Sequence, residues 1–294
     1  MDSTGSNIQT ILALVRQILD ETSTNAKFTN AFLIQKYLPL AIHAVQGRLL
    51  NDTDSPVFMS YPITVTNGQT HYVLPPSIQE VHGLVQYDSD NIVMSESVPT
   101  SRNHHDIRCR NWSLEGNELR IEPYSITAGT WYVLYLPSPD TCPHYATDGT
   151  LVDTSTITLS AAPTLGLLDR RAGAYVGSTI RIIPSGSGPI EERIINSHTW
   201  TGSAWRVTLR RPLTSNTTPG SVTYEIVPGL DAALIGAISY NLAIEVATSR
   251  QFSGAAQAQL LRQYTQHLKA ASDRISNMQA RTGKTFYVQD WLSK

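Results

Sequence analysis

The segment Trp131-Tyr132-Val133-Leu134-Tyr135-Leu136 carries mostly apolar and aromatic residues. Successive side chains of a β-strand point to opposite faces, so a strand with this sequence is largely apolar on both faces. Such strands are typical of the inside of a layered β structure. We therefore predict a buried strand here and, around it, a compact β unit over residues 57–138.

Two short loops in this β unit predict hairpins. Asn67-Gly68 separates the alternating runs Ile63–Val65 and His71–Leu74. Asn-Gly between such runs is the strongest short-range signal for a tight hairpin turn. A second hairpin is predicted from the segments Trp112–Leu114, Glu115-Gly116-Asn117 and Leu119–Ile121.

Residues 139–228 form a second β-rich region. Pro137, Pro139 and Pro143 mark its start, and Pro228-Gly229 marks its end. Short strands at this spacing, separated by turns that contain glycine and serine, favour a sandwich or a barrel. The predicted strands are 156–159, 179–183, 190–195, 205–210 and 222–227.

Helices are predicted near both ends of the chain. Ser6 and Gln9 have capping-box spacing at the start of a helix over 6–21. A second helix begins near Thr29 and contains Pro39, which should kink it or split it into two pieces. Two more helices are predicted over 230–251 and 254–281.

The order of these elements predicts an α+β protein. We expect residues 1–56 and 229–282 to pack as one helical bundle. The β unit 57–138 and the inserted sandwich-like or barrel-like module 139–228 should project from this bundle. Residues 283–294 should form an extended C-terminal tail.

The composition limits the classes of function. The 294 residues contain 22 Lys and Arg against 24 Asp and Glu, a formal net charge of −2. Bulk attraction to nucleic acid is therefore not expected. Residues 250–294 are an exception, because seven basic and two acidic side chains give them a net charge of +5. Two cysteines are too few for a disulfide framework, and we expect neither a secretory signal nor a membrane span.

The sequence lacks the common motifs of catalysis and cofactor binding. It contains no Walker A motif, no G-x-G-x-x-G after a strand, no G-x-S-x-G and no H-E-x-x-H. His104-His105-Asp106, close to Cys109, is interpreted as a solvated loop rather than a metal site, because adjacent strand residues diverge. Glu191-Glu192 is interpreted as a solvated turn or edge rather than an acid–base pair for the same reason. We predict that the protein is not an enzyme, has no catalytic residues and binds no metal or cofactor.

Four basic residues are candidates for lining a lumen or contacting another subunit. Arg170 and Arg171 are adjacent in the β module. They lack a neighbouring aromatic stacking platform, which disfavours contact with nucleic-acid bases. Arg262 and Lys269 fall outside the apolar stripe of the last predicted helix. Channel-facing and intersubunit roles both stay open for these residues.

The C-terminal tail carries Phe286, Tyr287 and Trp291. Aromatic anchors on a basic segment after a helix are typical of a peptide that becomes ordered on a partner. The alternative is that these side chains fold back onto the protein's own helices. The sequence supports both interpretations about equally.

Several segments carry a resemblance to a known family. They are Ile8–Leu19, Phe28-Thr29-Asn30-Ala31-Phe32-Leu33, Val73-Leu74-Pro75-Pro76, Val81-His82-Gly83-Leu84-Val85, Asn117–Pro123, Trp131–Leu136 and Thr156–Ile226. In this order they resemble the head-to-tail adaptor (connector) proteins of tailed phages, especially short-tailed ones. The similarity covers nearly the whole chain as an architecture, and none of its motifs is a catalytic signature.

The resemblance implies a structural protein of the virion, made in the host cytoplasm and located at the head–tail junction. It implies a homo-oligomeric ring, commonly of twelve subunits, beneath the portal protein. The helical bundle would build the ring, the tail with Phe286, Tyr287 and Trp291 would reach the portal, and the β module would face a downstream tail or nozzle protein. Genomic DNA would pass through the lumen without sequence readout during ejection, and no membrane is involved.

Two other functions stay open. In the first, residues 139–228 bind or hydrolyse carbohydrate, with Trp200 and Trp205 as sugar platforms, although paired tryptophans more often pack over a hairpin. In the second, the protein is a tail-tube component without a portal contact. Ordering of the aromatic tail on a portal would separate the adaptor from the tail-tube component.

Overall fold

The computed structural model describes residues 6–21, 28–52, 59–87, 93–99, 111–121, 127–183, 189–214 and 220–282. The fold is α+β, as predicted. Contacts divide the chain into two compact units. We call Phe58–Ser138 the sheet unit, and Met1–Val57 together with Pro139–Lys294 the helix–barrel unit.

The described strands of the sheet unit form one sheet. They are β1 (Met59–Val65), β2 (His71–Val73), β3 (Ile78–Tyr87), β4 (Val93–Pro99), β5 (Asn111–Glu115), β6 (Glu118–Ile121) and β7 (Gly129–Pro137). Their order is β1-β7-β3-β4-β5-β6-β2, and only the short β4–β5 pairing is parallel. The strand predicted at Trp131–Leu136 is confirmed as part of β7, which lies between β1 and β3. Trp131, Val133 and Tyr135 are fully buried there.

One of the two predicted hairpins is confirmed and the other is wrong. β5 and β6 pair antiparallel around Gly116, which has the positive φ of 65° that this turn requires. β1 and β2 do not pair, since β1 pairs with β7 and β2 pairs with β6. The turn between β1 and β2 is held instead by the hydroxyl of Tyr72, which accepts from Thr66 N–H and donates to the Gln69 carbonyl.

The β strands of the helix–barrel unit close into a six-stranded barrel. Around the barrel the order is β8-β14-β11-β12-β13-β9 and back to β8, while the short β10 pairs with β8 outside the closed ring. Five of these strands were predicted from the sequence, and β8 and β10 were not. The strands are β8 (His144–Asp153), β9 (Thr156–Thr158), β10 (Leu165–Gly166), β11 (Thr179–Ile183), β12 (Glu191–Trp200), β13 (Trp205–Leu209) and β14 (Gly220–Ile226).

Apolar and aromatic side chains fill the barrel. Ile157, Ile180, Val207 and Tyr224 are fully buried in one hydrophobic cluster. Tyr224 lies across the backbone of Gly149 on the neighbouring strand, where a Cβ atom would come within 2.3 Å of the tyrosine ring. Glycine is therefore needed at this position for the ring to pack.

The predicted starts of the first two helices are confirmed. Helix α1 (Asn7–Ile18) is capped by Ser6, whose hydroxyl accepts from Gln9 N–H. Helix α2 (Asn30–Phe32) is capped by Thr29 in the same way. These side-chain oxygens accept from N–H groups that have no partner within the helix.

Pro39 lies at the start of the third helix. A π-helical turn over Leu33–Tyr37 joins α2 to α3 (Leu38–Asp52). Proline has no N–H to donate and its ring clashes with the carbonyl of the preceding turn, so a regular α-helix cannot run through it unchanged. The π-helical turn is the form that this predicted irregularity takes.

Helix α4 (Ile235–Ser249) lies among the other helices, after a 3₁₀ turn at Ala232–Leu234. Buried side chains of α1, α3, α4 and α5 (Gly254–Thr282) form one hydrophobic cluster, which also includes Tyr145 and Val227 at the ends of barrel strands. By length and composition alone Ala232–Ser249 is apolar enough to cross a membrane. Its packing against three other helices accounts for the same composition.

Candidate functional site

The outward face of α5 carries two of the predicted basic residues. Tyr264, Leu268 and Ile275 bury the opposite face of this helix in the hydrophobic cluster. Arg262 and Lys269 are seven residues apart, which places them on the same side of the helix, and both are exposed. Neither forms an ion pair within the described part of the chain. Their charges are therefore available to a partner.

Arg170 and Arg171 lie on the loop between β10 and β11. Arg170 is exposed. The guanidinium of Arg171 donates from Nη2 to Oδ2 of buried Asp169 at 2.6 Å and from Nε to Oδ1 at 3.0 Å. The hydrogen bonds that Arg171 donates to the Asp169 carboxylate raise the pKa of Arg171. Arg171 therefore helps to hold the loop, and of these two arginines Arg170 is the more exposed.

A buried carboxylate joins the barrel to the N-terminus of α1. Glu225 on β14 accepts from the hydroxyl of Ser6 at 2.7 Å, from Asn7 N–H at 2.8 Å and from Ile8 N–H at 3.2 Å. Its side chain is only 1% exposed. A negative charge is favourable at this end of a helix because unpaired N–H groups and the helix dipole point towards it.

Arg181 on β11 lies between two glutamates in the barrel. It pairs across the strands with Glu192 of β12, 2.5 Å away, and with Glu225 of β14, 3.8 Å away. These side chains line a cavity of about 70 Å3 together with Asp231. Burial raises the pKa values of Glu225 and Asp231, and the hydrogen bonds and the Arg181 charge partly offset the effect at Glu225. Glu225 links β14 to the start of α1, because its carboxylate accepts hydrogen bonds from Ser6, Asn7 and Ile8.

Six aromatic and imidazole rings form a chain from the surface into the barrel. Neighbouring ring centroids are 4.6–6.2 Å apart along this chain. Trp200, at one end of the chain of rings, is exposed, and Tyr224, at the other end, is fully buried in the barrel. In order, the rings are Trp200, Trp205, His198, Tyr175, His144 and Tyr224.

Both histidines of this chain are buried. The hydroxyl of Tyr224 accepts from Ser160 N–H and lies 2.5 Å from Nε2 of His144, so the two rings share a buried hydrogen bond. Burial lowers the pKa of His144 to about 4 and that of His198 to about 4. Both imidazoles are therefore uncharged near pH 7.

The structure gives the adjacent residues Glu191 and Glu192 different partners. Glu191 is buried and accepts from Thr214 N–H and from the guanidinium of Arg193. Glu192 pairs with Arg181. The sequence interpretation of both residues as a solvated turn or edge is wrong for Glu191, because β12 directs it into a buried ion pair. Their different partners leave no shared cleft in which the two carboxylates could act together.

Trp200 and Trp205 are cross-strand neighbours at the end of the β12–β13 hairpin. Trp200 is 53% exposed, while Trp205 stacks on His198 with ring centroids 4.6 Å apart. Trp205 therefore belongs to the ring chain, and Trp200 leaves an aromatic face in solvent.

Several predicted features lie outside the described residues. They are His104-His105-Asp106, Cys109 and the tail residues Phe286, Tyr287 and Trp291. In the part of the chain that is described, no group of three or more His, Cys, Asp or Glu could hold a metal ion.

Comparisons with known proteins leave the family open. No protein-family model matches the chain. No curated protein matches it either.

Proposed function

We propose that the protein is a head-to-tail adaptor of a tailed phage. In this proposal it is a structural component of the virion, and copies of the chain form a ring, commonly of twelve subunits, beneath the portal. The terminal helices act as one bundle and build the ring. The tail 283–294 binds the portal protein through Phe286, Tyr287 and Trp291.

The observation that carries the proposal is the arrangement of α5. Tyr264, Leu268 and Ile275 fix this helix in the core, and its 29 residues extend about 43 Å. It leads directly into the tail with its aromatic residues. A long helix that is packed in the core and is followed by a segment with three aromatic side chains is suited to binding a partner at a distance from that core.

The outward face of α5 supports a contact with DNA or with another subunit. Arg262 and Lys269 lie exposed on a long helix and form no ion pair with the residues that the structure describes. Two charges per subunit would attract passing DNA only weakly, and a net charge of −2 for the whole chain limits non-specific binding. This balance suits a conduit through which DNA must slide. The barrel is then the part that faces a downstream tail or nozzle protein.

The mass of the protein in solution tests this proposal. The full chain, a chain ending at Arg281 and a Trp200→Ala variant are each measured alone and with a candidate portal protein. We expect the full chain and Trp200→Ala to form a ring on the portal, because both keep the aromatic tail. The shortened chain should lose the portal complex. A full chain that stays monomeric and ignores the portal would contradict the adaptor and also its alternative as a ring-forming tail-tube component.

One observation favours carbohydrate binding as a second candidate function. Trp200 offers an exposed aromatic face at the tip of a barrel hairpin, and sugars stack on such faces. A glycan screen with the wild type and Trp200→Ala tests it: binding that the variant loses would support this function. The separated partners of Glu191 and Glu192 argue against the hydrolytic form of this candidate.

A further inference from the structure

An open groove lies between α1, α4 and α5. It has a volume of about 350 Å3. Leu14 and Ile18 of α1 contribute one side. Tyr240 of α4 and His267 of α5 contribute another, and their rings stack with centroids 4.8 Å apart. The other lining residues are Gln17, Gly236 and Ser239.

The sequence keeps the groove open at its floor. A Cβ atom at Gly236 would lie 2.7 Å from Nδ1 of His267, so glycine at this position lets the imidazole lie close against α4. Ser239 turns its hydroxyl inward to the carbonyl of Ile235. Small floor residues between aliphatic and aromatic walls leave space in the size range of pockets that hold small organic groups.

The length of chain beyond α5 limits which side chain of the tail can fill this groove. From His267 to Thr282, 15 residues of helix span about 22 Å. Phe286 and Tyr287 lie four and five residues beyond Thr282, which allows at most about 18 Å of extended chain. Trp291 lies nine residues beyond Thr282 and can reach about 32 Å. Trp291 can therefore return to the groove of its own chain with about 10 Å of chain to spare, whereas Phe286 and Tyr287 would need a fully extended backbone and the length of their own side chains.

We propose that the indole of Trp291 docks in the α1–α4–α5 groove of the same chain. A flat indole fits between Leu14 and Ile18 on one side and the stacked Tyr240 and His267 rings on the other. The amide oxygen of Gln17 provides an acceptor for the indole N–H at the rim. The short tether gives the indole a millimolar effective concentration at the groove. The inference concerns the free chain and stands whether or not the protein is an adaptor.

Docking in this way separates the three aromatic residues of the tail. Phe286 and Tyr287 stay outside the groove and free to meet a partner first. A partner that also needs Trp291 must displace it from the groove. The apparent affinity of the chain for that partner is then the intrinsic affinity multiplied by the fraction of chains in which Trp291 is undocked. The groove therefore acts as an internal competitor for the tail.

Cross-linking of the free chain tests the proposal. In a Cys109→Ser, Cys142→Ser background, Ala13→Cys, at an exposed position of α1 that does not line the groove, and Leu292→Cys are joined with a short bis-maleimide at low protein concentration. We expect an intramolecular product that Trp291→Ala reduces roughly tenfold, which corresponds to about 1.4 kcal/mol. Val288→Ala, in the same tail, should leave the yield unchanged. No product, an equal yield with Trp291→Ala, or a product linking two chains would overturn docking within one chain.

Fluorescence quenching provides a second readout that keeps all cysteines native. The accessibility of Trp291 to acrylamide is obtained by comparing each protein with its Trp291→Phe counterpart. Leu14→Glu, at the groove, should raise this accessibility several-fold. Leu261→Glu changes an exposed leucine of α5 that does not line the groove, and should not alter it. Equal accessibility in the wild type and Leu14→Glu would overturn the proposal. Failure here leaves the portal experiment unaffected, because that experiment measures a complex.

Discussion

Glu225→Ala should lower the free energy of unfolding of the helix–barrel unit by about 3 kcal/mol. The substitution leaves the Ser6 hydroxyl and the N–H groups of Asn7 and Ile8 without their acceptor. It also removes one of the two carboxylates beside Arg181. For a unit of this size the loss corresponds to a fall in melting temperature of about 6–12 °C. Urea unfolding followed by circular dichroism measures the first quantity and calorimetry the second.

Glu192→Ala is the matched control for this variant. Glu192 pairs with the same Arg181, but it accepts no hydrogen bond from α1 and its side chain is 18% exposed. Loss of a partly solvated ion pair should cost about 1 kcal/mol or less. Amide hydrogen exchange gives a local readout, because Glu225→Ala should speed exchange at Asn7 and Ile8 whereas Glu192→Ala should not. Equal stabilities for the two variants would show that Glu225 does not anchor α1.

The helix ends could be predicted because their signals are local. Ser6 and Thr29 each accept from an N–H group three residues away, and such spacing is visible in the sequence. The spacing of apolar residues likewise located the bodies of α1 and α5. Tertiary packing was needed to reveal the π-helical turn before Pro39, although the proline predicted that some irregularity would occur.

The missed features depend on contacts between distant parts of the chain. β8 was missed because Thr, Asp and Gly interrupt its alternation, yet it closes the barrel by pairing with both β14 and β9. The Asn67-Gly68 turn is correct as a turn, but distant strands take the partners that a hairpin would use. Ser6 and Glu225 are 219 positions apart, so nothing local indicates their hydrogen bond. A glutamate between Tyr224 and Ile226 in a buried strand was the available signal.

Acid should destabilise the barrel through its two buried histidines. An unfolded histidine titrates near pH 6.5, whereas His144 and His198 titrate near pH 4 in the fold. The unfolded chain therefore binds more protons between these values, and stability falls as the pH drops from about 6.5 to 4. Each histidine should lower the free energy of unfolding by about 3 kcal/mol as the pH falls from about 6.5 to 4. The raised pKa values of Glu225 and Asp231 act in the opposite direction, so a single-site comparison is needed.

His198→Phe isolates one of these two contributions. Phenylalanine keeps a flat ring between Tyr175 and Trp205 but cannot bind a proton. The stability of the wild type relative to this variant should fall by about 3 kcal/mol between pH 7 and pH 4, measured by urea unfolding at each pH. Val207→Ala removes buried apolar atoms from the same core without changing a titratable group. Its free energy of unfolding should therefore lie below that of the wild type by a similar amount at every pH. If His198→Phe also shows a constant difference from the wild type, or if the imidazole resonances of His198 titrate near pH 6.5, the acid sensitivity has another origin.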